Sequence, residues 1–411
     1  MKKDQKYYGE VWFAGEESNK QFAVLFYKDE DLMLETNLCA PRTVYKQPQI
    51  LGVFTGLGYV TFIDCHIQQS SSGMVETRIY RPKYSFVSAD HFVDALNTKV
   101  SEFSVINDAI VKWVNHYTWY DHLDDKLLYK KFDDLYTIDE IGLEITISHY
   151  LNFQSERTEL HIKNRGSILF KKDEPVDILE AIKIYDQFQK MLQLLFGRSA
   201  KFERFSFKCL SCGEWQQVYY NDKKLTKSTH TYVHTDYEKV KVDLNKVLNA
   251  VYTDNSFQFC LDKLMENFIA THTSHNKRFT NSIASFEAFG KLYSGHKSNN
   301  LSKFIKHYKT AFVLIGKFTD DEWKSFPSKV VRSRDYHVHS NIANKNVYSE
   351  YELLYISFLF DFVIGYLLLE TLGVSEDLLK KFIMHGNSVF IDMKRTNEIL
   401  SANPLLKNKE K

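Results

Sequence analysis

The 411-residue sequence predicts an α+β protein in two parts: an antiparallel, sandwich-like β-rich N-terminal domain with helical insertions, and an all-α C-terminal bundle. Three observations predict it. Short β-branched and aromatic runs separated by turn residues fill most of residues 1–236. Apolar residues at three- and four-residue spacing dominate residues 237–402, as in amphipathic helices. Gly (16) and Pro (6) are scarce, which implies regular structure joined by short connections.

The strands come first. Residues 8–13, 22–26, 60–67 and 78–84 are strand-like, and polar stretches at 15–19 and 70–73 separate them. Gly52, Gly56 and Gly58 fall between strands. No Lys-Ser/Thr follows them and residues 59–63 continue as strand, so they mark a turn or bulge and not a phosphate loop. A helix is expected over residues 103–116 from the spacing of Phe103, Ile106, Ile110 and Trp113. Residues 116–145 carry eight acidic residues against three Lys, a solvated face or loop. Strands resume at 144–151 and 158–163, and helical periodicity over 177–196 stops at Gly197. Residues 204–208 and 215–220 complete the β-rich part.

Helices then follow one another. Val240, Leu244, Val247 and Val251 define one apolar face, and Phe257, Leu261, Leu264, Met265 and Phe268 the next. Phe279, Ile283, Phe286 and Tyr293 make a third, and Leu301, Ile305, Tyr308, Phe312 and Ile315 a fourth. Residues 351–372 and 375–384 supply two more, before a basic tail at 403–411. The run 353–369 approaches the length of a membrane span, but Asp361 and Gly365 interrupt it. A charge is costly in lipid, so a buried core or subunit-interface helix is expected and no membrane partner.

Net charge is +1, from 53 basic and 52 acidic residues, which excludes a uniformly basic nucleic-acid coat. Five cysteines, an odd number, and no apolar leader after Met1 suit a reducing, cytoplasmic location. Lys is the default cation here, at 42 Lys to 11 Arg, yet Arg332 and Arg334 stand almost side by side ahead of His337 and His339. Arg supplies a planar, permanent fork suited to phosphate. Residues 276–345 hold 13 basic against 5 acidic residues, a local patch that points to a polyanionic ligand.

Arg334-Asp335-Tyr336-His337-Val338-His339 resembles the Arg-polar-x3-His motif of HEPN ribonucleases. Residues 277–290 are similar to the ApeA-type HEPN helix that carries a Glu near the site, here Glu287. Gly9-Glu10-Val11-Trp12 and the strand after Gly52 resemble the β-rich N-terminal part of ApeA-like anti-phage proteins. The resemblance implies a C-terminal HEPN bundle and a β-rich sensor that restrains it until infection. It implies catalysis by Arg334 and His339, with Asp335, Glu287, His337 and Asn341 supporting them. Arg332, Lys329, Arg278 and Lys277 are then RNA contacts. His339 would move protons and Arg334 would hold the scissile phosphate. The products would be a 2′,3′-cyclic phosphate and a 5′-OH, with no cofactor or metal. Residues five apart on a helix point about 140° apart, so dimerisation is expected to complete the cleft. RNA, tRNA above all, and a phage-derived activator are the implied partners.

Other readings stay open. Arg332 and His337 share the same spacing, so the register is ambiguous, and a surface turn with incidental Arg and His fits the segment alone. Glu287 can equally be a helix-face carboxylate. His337 and His339 could hold a metal, and Cys209, Cys212, His230 and His234 could hold zinc. A non-catalytic RNA- or nucleotide-binding module with a β-rich partner-binding domain is the alternative function.

Overall fold

The computed structural model describes every residue except 2–3, 30, 40–48, 72, 75, 92–94, 116–118, 122, 125, 130, 156–157, 197–203, 211–212, 222–234, 270–273, 296–299, 340–345 and 403–411. Gly197, Cys212, His230, His234, Asn341 and the basic tail therefore lie outside the described residues. The chain divides into two compact units. The first comprises Met1–Val111, His116–Tyr185 and Lys201–Lys224, and the second Lys112–Asn115, Asp186–Ala200 and Leu225–Lys411. The chain thus changes unit several times.

The first unit opens with β1 (Tyr7–Phe13), β2 (Gln21–Lys28), β3 (Asp31–Thr36), β4 (Ile50–Phe54), β5 (Gly58–Ser71) and β6 (Thr77–Ser88). Each of these six pairs with two of the others: β1 with β2 and β4, β3 with β2 and β6, and β5 with β4 and β6. All these pairings are antiparallel, so the strands close into a ring, the particular form the β-rich domain takes. Closure removes edges that would otherwise pair with other chains. Period-two alternation decides which side chains fill the ring. Tyr7, Val11 and Phe13 of β1 join Leu25, Leu34, Ile50, Val60, Phe62 and Tyr80 in one buried cluster, whereas Tyr8 and Glu10 are exposed. Gly52 lies within β4 and not between strands. A Cβ there would come within 2.8 Å of both the Phe54 ring and Val11 Cγ1.

From β6 the sheet runs on through β7 (Lys99–Ile106), β10 (Phe132–Ile138), β11 (Leu143–Ser155), β12 (Leu160–Asp177), β13 (Arg204–Cys209) and β14 (Trp215–Tyr220), in the order β6-β14-β13-β7-β12-β11-β10. A separate hairpin pairs β8 (Trp119–Asp121) with β9 (Lys126–Leu128). The helix expected over 103–116 shrinks to α1 (Ala109–Val114), because Phe103 is taken into the sheet. Its ring stacks between Phe170 at 4.8 Å and Phe205 at 5.6 Å on the flanking strands. The acidic stretch is solvated partly on a strand, as Asp133 on β10 shows, and partly in turns, as exposed Asp124 shows.

On one side of β6, β3 covers Arg78–Tyr80 and β14 covers Tyr84–Val87, so the sheet forks between them. Asn221 fills the fork. Its Nδ2 donates to the carbonyls of Leu32 (2.8 Å) and Pro82 (2.7 Å), and its Oδ1 accepts from the Leu32 N–H (2.8 Å). Replacing Asn221 with alanine strands these backbone groups. The expected loss is about 1–3 kcal/mol of stability, measured by urea unfolding.

The second unit contains the end of α2 (Ile178–Phe196), then α3 (Tyr237–Thr253), α4 (Asn255–Ile269), α5 (His275–Tyr293), α6 (Leu301–His307), α7 (Lys309–Gly316), α8 (Asp320–His339), α9 (Glu350–Thr371) and α10 (Glu376–Ala402). The helix expected over 301–315 is two, broken at Tyr308 (φ −92°, ψ 27°). α9 is apolar all round and buried from Ser357 to Leu369, as a bundle's central helix must be. Its start is held by a capping box of Ser349 and Glu352. It is the one helix among the described residues long and apolar enough to cross a membrane, yet 83% of its apolar window is buried inside the protein. At Gly365 an added Cβ would lie 2.7 Å from the Phe382 ring, so glycine lets α10 approach closely.

Candidate active site

The Arg-His segment is the last two turns of α8, a helix that forms despite Pro327 in its interior. Trp323, Phe326, Val330 and Ser333 recur at three- and four-residue spacing and are buried, which sets the rotation of the helix. Ser333 fixes it further. Its hydroxyl donates to the Lys329 carbonyl (2.8 Å) and accepts the Tyr348 N–H (2.9 Å). Lys329 Nζ lies 4.1 Å from the centre of the Tyr348 ring and 3.4 Å from Glu352 Oε1. The chain entering α9 is thereby tied to α8 just before the motif.

Arg334 follows Ser333, at the margin of the buried face. Its Nη2 lies 3.4 Å from Oε2 of Glu287 on α5. Glu287 is held in place by its neighbour Phe286, which is fully buried with its ring against Phe312 (5.3 Å) and Phe360 (5.1 Å). The Arg334 side chain keeps 31% exposure, enough for a ligand to reach it. Arg332 is exposed and, among the described residues, has no acidic partner. Asp335 makes no hydrogen bond or ion pair among the described residues, so the carboxylate beside Arg334 is Glu287 and not its sequence neighbour.

His337 is half-buried, with its ring edge-on to Tyr336 at 4.9 Å. Burial holds its imidazole below the ordinary histidine range against the opposing pull of Glu350, so it is neutral at pH 7. Its Nε2 is buried with no hydrogen-bond partner among the described residues. Three residues separate His337 from Arg334, which on a helix is about 60° of rotation. His339 is the final residue of α8, five residues and about 140° from Arg334.

Two of the expected RNA contacts have acidic partners within the chain. Arg278 is an interior group: Nη2 is 2.9 Å from Oδ2 of the fully buried Asp361, Nη1 donates to the Asn267 carbonyl (3.0 Å), and the guanidinium lies over the Phe358 ring at 4.6 Å. Burial pushes the Asp361 carboxyl up from its ordinary range, against Arg278, Ser282 and Asn267. Lys329 is committed to Tyr348 and Glu352, as described. Lys277 is exposed on the first turn of α5. Sequence reasoning missed the Ser333–Tyr348 anchor and the Asp361 network. Asp361 carried the only signal, a charge inside an apolar run.

Among the described residues no group of three His, Cys, Asp or Glu is placed to hold a metal ion. Cys209 is buried at the end of β13. Comparison with known proteins adds two matches: residues 6–251 match the family model of ApeA N-terminal domain 1, and residues 220–378 match that of the Apea-like HEPN domain. A search of curated proteins finds no match.

Proposed function

This chain belongs to the ApeA family, with an Apea-like HEPN domain spanning the α8 site, and on that footing we propose that it is a metal-independent endoribonuclease of bacterial anti-phage defence. The observation that carries the reading is the Arg334–Glu287 pair. It presents an oriented, reachable guanidinium on the same helix as His337.

The chemistry follows from these groups. RNA contains its own nucleophile, so a nuclease needs only to take the 2′-OH proton, steady the phosphate and protonate the departing 5′-oxygen. Arg334 steadies the non-bridging oxygens as charge grows on them, while Glu287 keeps its fork aimed. His339 moves protons. The 2′-oxygen attacks phosphorus, the P–O5′ bond breaks, and a 2′,3′-cyclic phosphate and a 5′-OH result. Residues 334 and 339 diverge around α8, which supports a cleft lined by two copies of the chain. The β-rich unit fits a sensor that restrains this activity in the cytoplasm until a phage product releases it, and tRNA is the favoured target.

Purified protein incubated with total cellular RNA, with and without EDTA and with lysate from infected cells, is expected to give EDTA-resistant fragments ending in 2′,3′-cyclic phosphates. Salt-sensitive binding with RNA left intact under every one of these conditions would refute the nuclease and favour a binding module.

A further inference from the structure

The hairpin of β11 and β12 runs past the strands on either side of it. β10 pairs with β11 only as far as His149, and β7 pairs with β12 only from Ser167 onward. Among the described residues, 150–155 of β11 and 160–166 of β12 pair with each other alone. They make a two-stranded ribbon about 20 Å long. Asn152, Phe153, Gln154 and Ser155 are all exposed although successive side chains point to opposite faces, so neither face of the ribbon is covered there.

A lone two-stranded ribbon is marginal in water, and a free strand edge invites a further strand unless charge or proline guards it. Two neighbouring edges are guarded. β10, the last strand at that end of the sheet, carries Asp133 and Asp134. The free stretch of β12 carries Lys163 and Arg165, which reach Asp108 at 3.2 and 3.0 Å. The free stretch of β11, Tyr150 to Ser155, has no charge, no proline and no glycine. It also shows a large apolar side chain to water: Phe153 is 56% exposed, with Ile162 across the ladder from it. The edge begins where the Tyr129 hydroxyl donates to the His149 carbonyl at 2.7 Å.

We propose that this edge of β11 is an interface with a second copy of the chain, the two strands pairing antiparallel about a two-fold axis at Asn152. The segment is complementary to itself in that register. Opposite residues share a face, so Leu151 meets the partner's Phe153, Phe153 meets the partner's Leu151, and Tyr150 meets the partner's Gln154. With no charge on the strand, no like charges oppose each other. Moving the axis by half a residue sets Leu151 against the partner's Gln154, so the apolar pairs specify the register. Pairing over Tyr150–Gln154 ends where β10 begins, and turns each marginal ribbon into half of a four-stranded sheet. Every residue used belongs to the β-rich unit, so the interface stands independently of the nuclease reading.

Disulfide trapping of the full chain tests it. In this register the two Asn152 Cα atoms lie about 4.5–5.5 Å apart, within disulfide range, and the two Ser155 Cα atoms about 20 Å apart. In a glutathione redox buffer, Asn152→Cys is expected to form a covalent dimer at least about tenfold faster than Ser155→Cys or the parent, whose own cysteines give the background. Adding Phe153→Lys to Asn152→Cys removes the apolar pairs and sets two cations beside the axis, which should slow trapping by about tenfold. The proposal is overturned if Asn152→Cys runs as a monomer on denaturing, non-reducing gels, if Ser155→Cys is trapped as readily, or if Phe153→Lys leaves trapping unchanged. An extended strand of another protein on this edge would produce the first of these outcomes.

Discussion

Arg334→Ala is expected to lower RNA cleavage by about 10²- to 10³-fold, the usual cost of removing a preorganised donor to developing charge. His339→Ala should fall into the same range if it moves the proton. Fold is not at stake, because the Arg334–Glu287 pair is long at 3.4 Å and partly solvated, and such pairs contribute under about 1 kcal/mol. Arg334→Lys separates charge from shape. It keeps the cation but loses the planar fork, so activity should stay well below the parent. Rates of 2′,3′-cyclic phosphate formation, taken with matched circular dichroism spectra, measure all three. Full activity in Arg334→Ala would remove this residue from the mechanism.

The largest stability effect is expected at Arg278. Its alanine variant leaves the carboxylate of Asp361, 0% exposed, without its cation, and breaking a buried pair from one side costs about 3–5 kcal/mol. The effect has a pH signature. With Arg278 gone, burial alone pushes the Asp361 carboxyl further up, and a group whose folded pKa is raised stabilises below its unfolded value and loses that contribution as pH rises. The variant should therefore be less deficient at pH 5 than at pH 8. Replacing both partners, Arg278→Met with Asp361→Leu, should recover most of the loss. Asn267 Nδ2 and Ser282 Oγ, 2.8 Å apart, can still bond each other. Urea unfolding followed by helical circular dichroism is the measurement, fitted with two transitions because the chain has two units.

The division into a β-rich part and a helical part was legible because periodicity is local. Alternation in β1 and the three- and four-residue spacing of α3 to α5 each state which side of an element is buried, whatever it is buried against. The Arg-His segment was legible as a motif, although its helix was not: Pro327 and a largely polar face weaken the periodicity of α8, which Ser333 and Tyr348 restore through contacts 15 residues apart. Phe103 shows the converse. Its spacing to Ile106 and Ile110 suits a helix, yet aromatic stacking on both flanking strands claims it for the sheet.

By itself the sequence determined the faces of most elements, the apolar character of α9 and the presence of an Arg-His motif. Tertiary structure alone decided that six strands close into a ring, that one asparagine fills the fork in the sheet, and which acids Arg278 and Arg334 pair with. Arg278 lies 83 residues from the acid that claims it, and Arg334 lies 47 from Glu287. A sequence states the charge of a side chain. Whether that charge faces RNA or a buried carboxylate depends on distances that only packing sets, because Coulomb and desolvation energies both change steeply over a few ångströms.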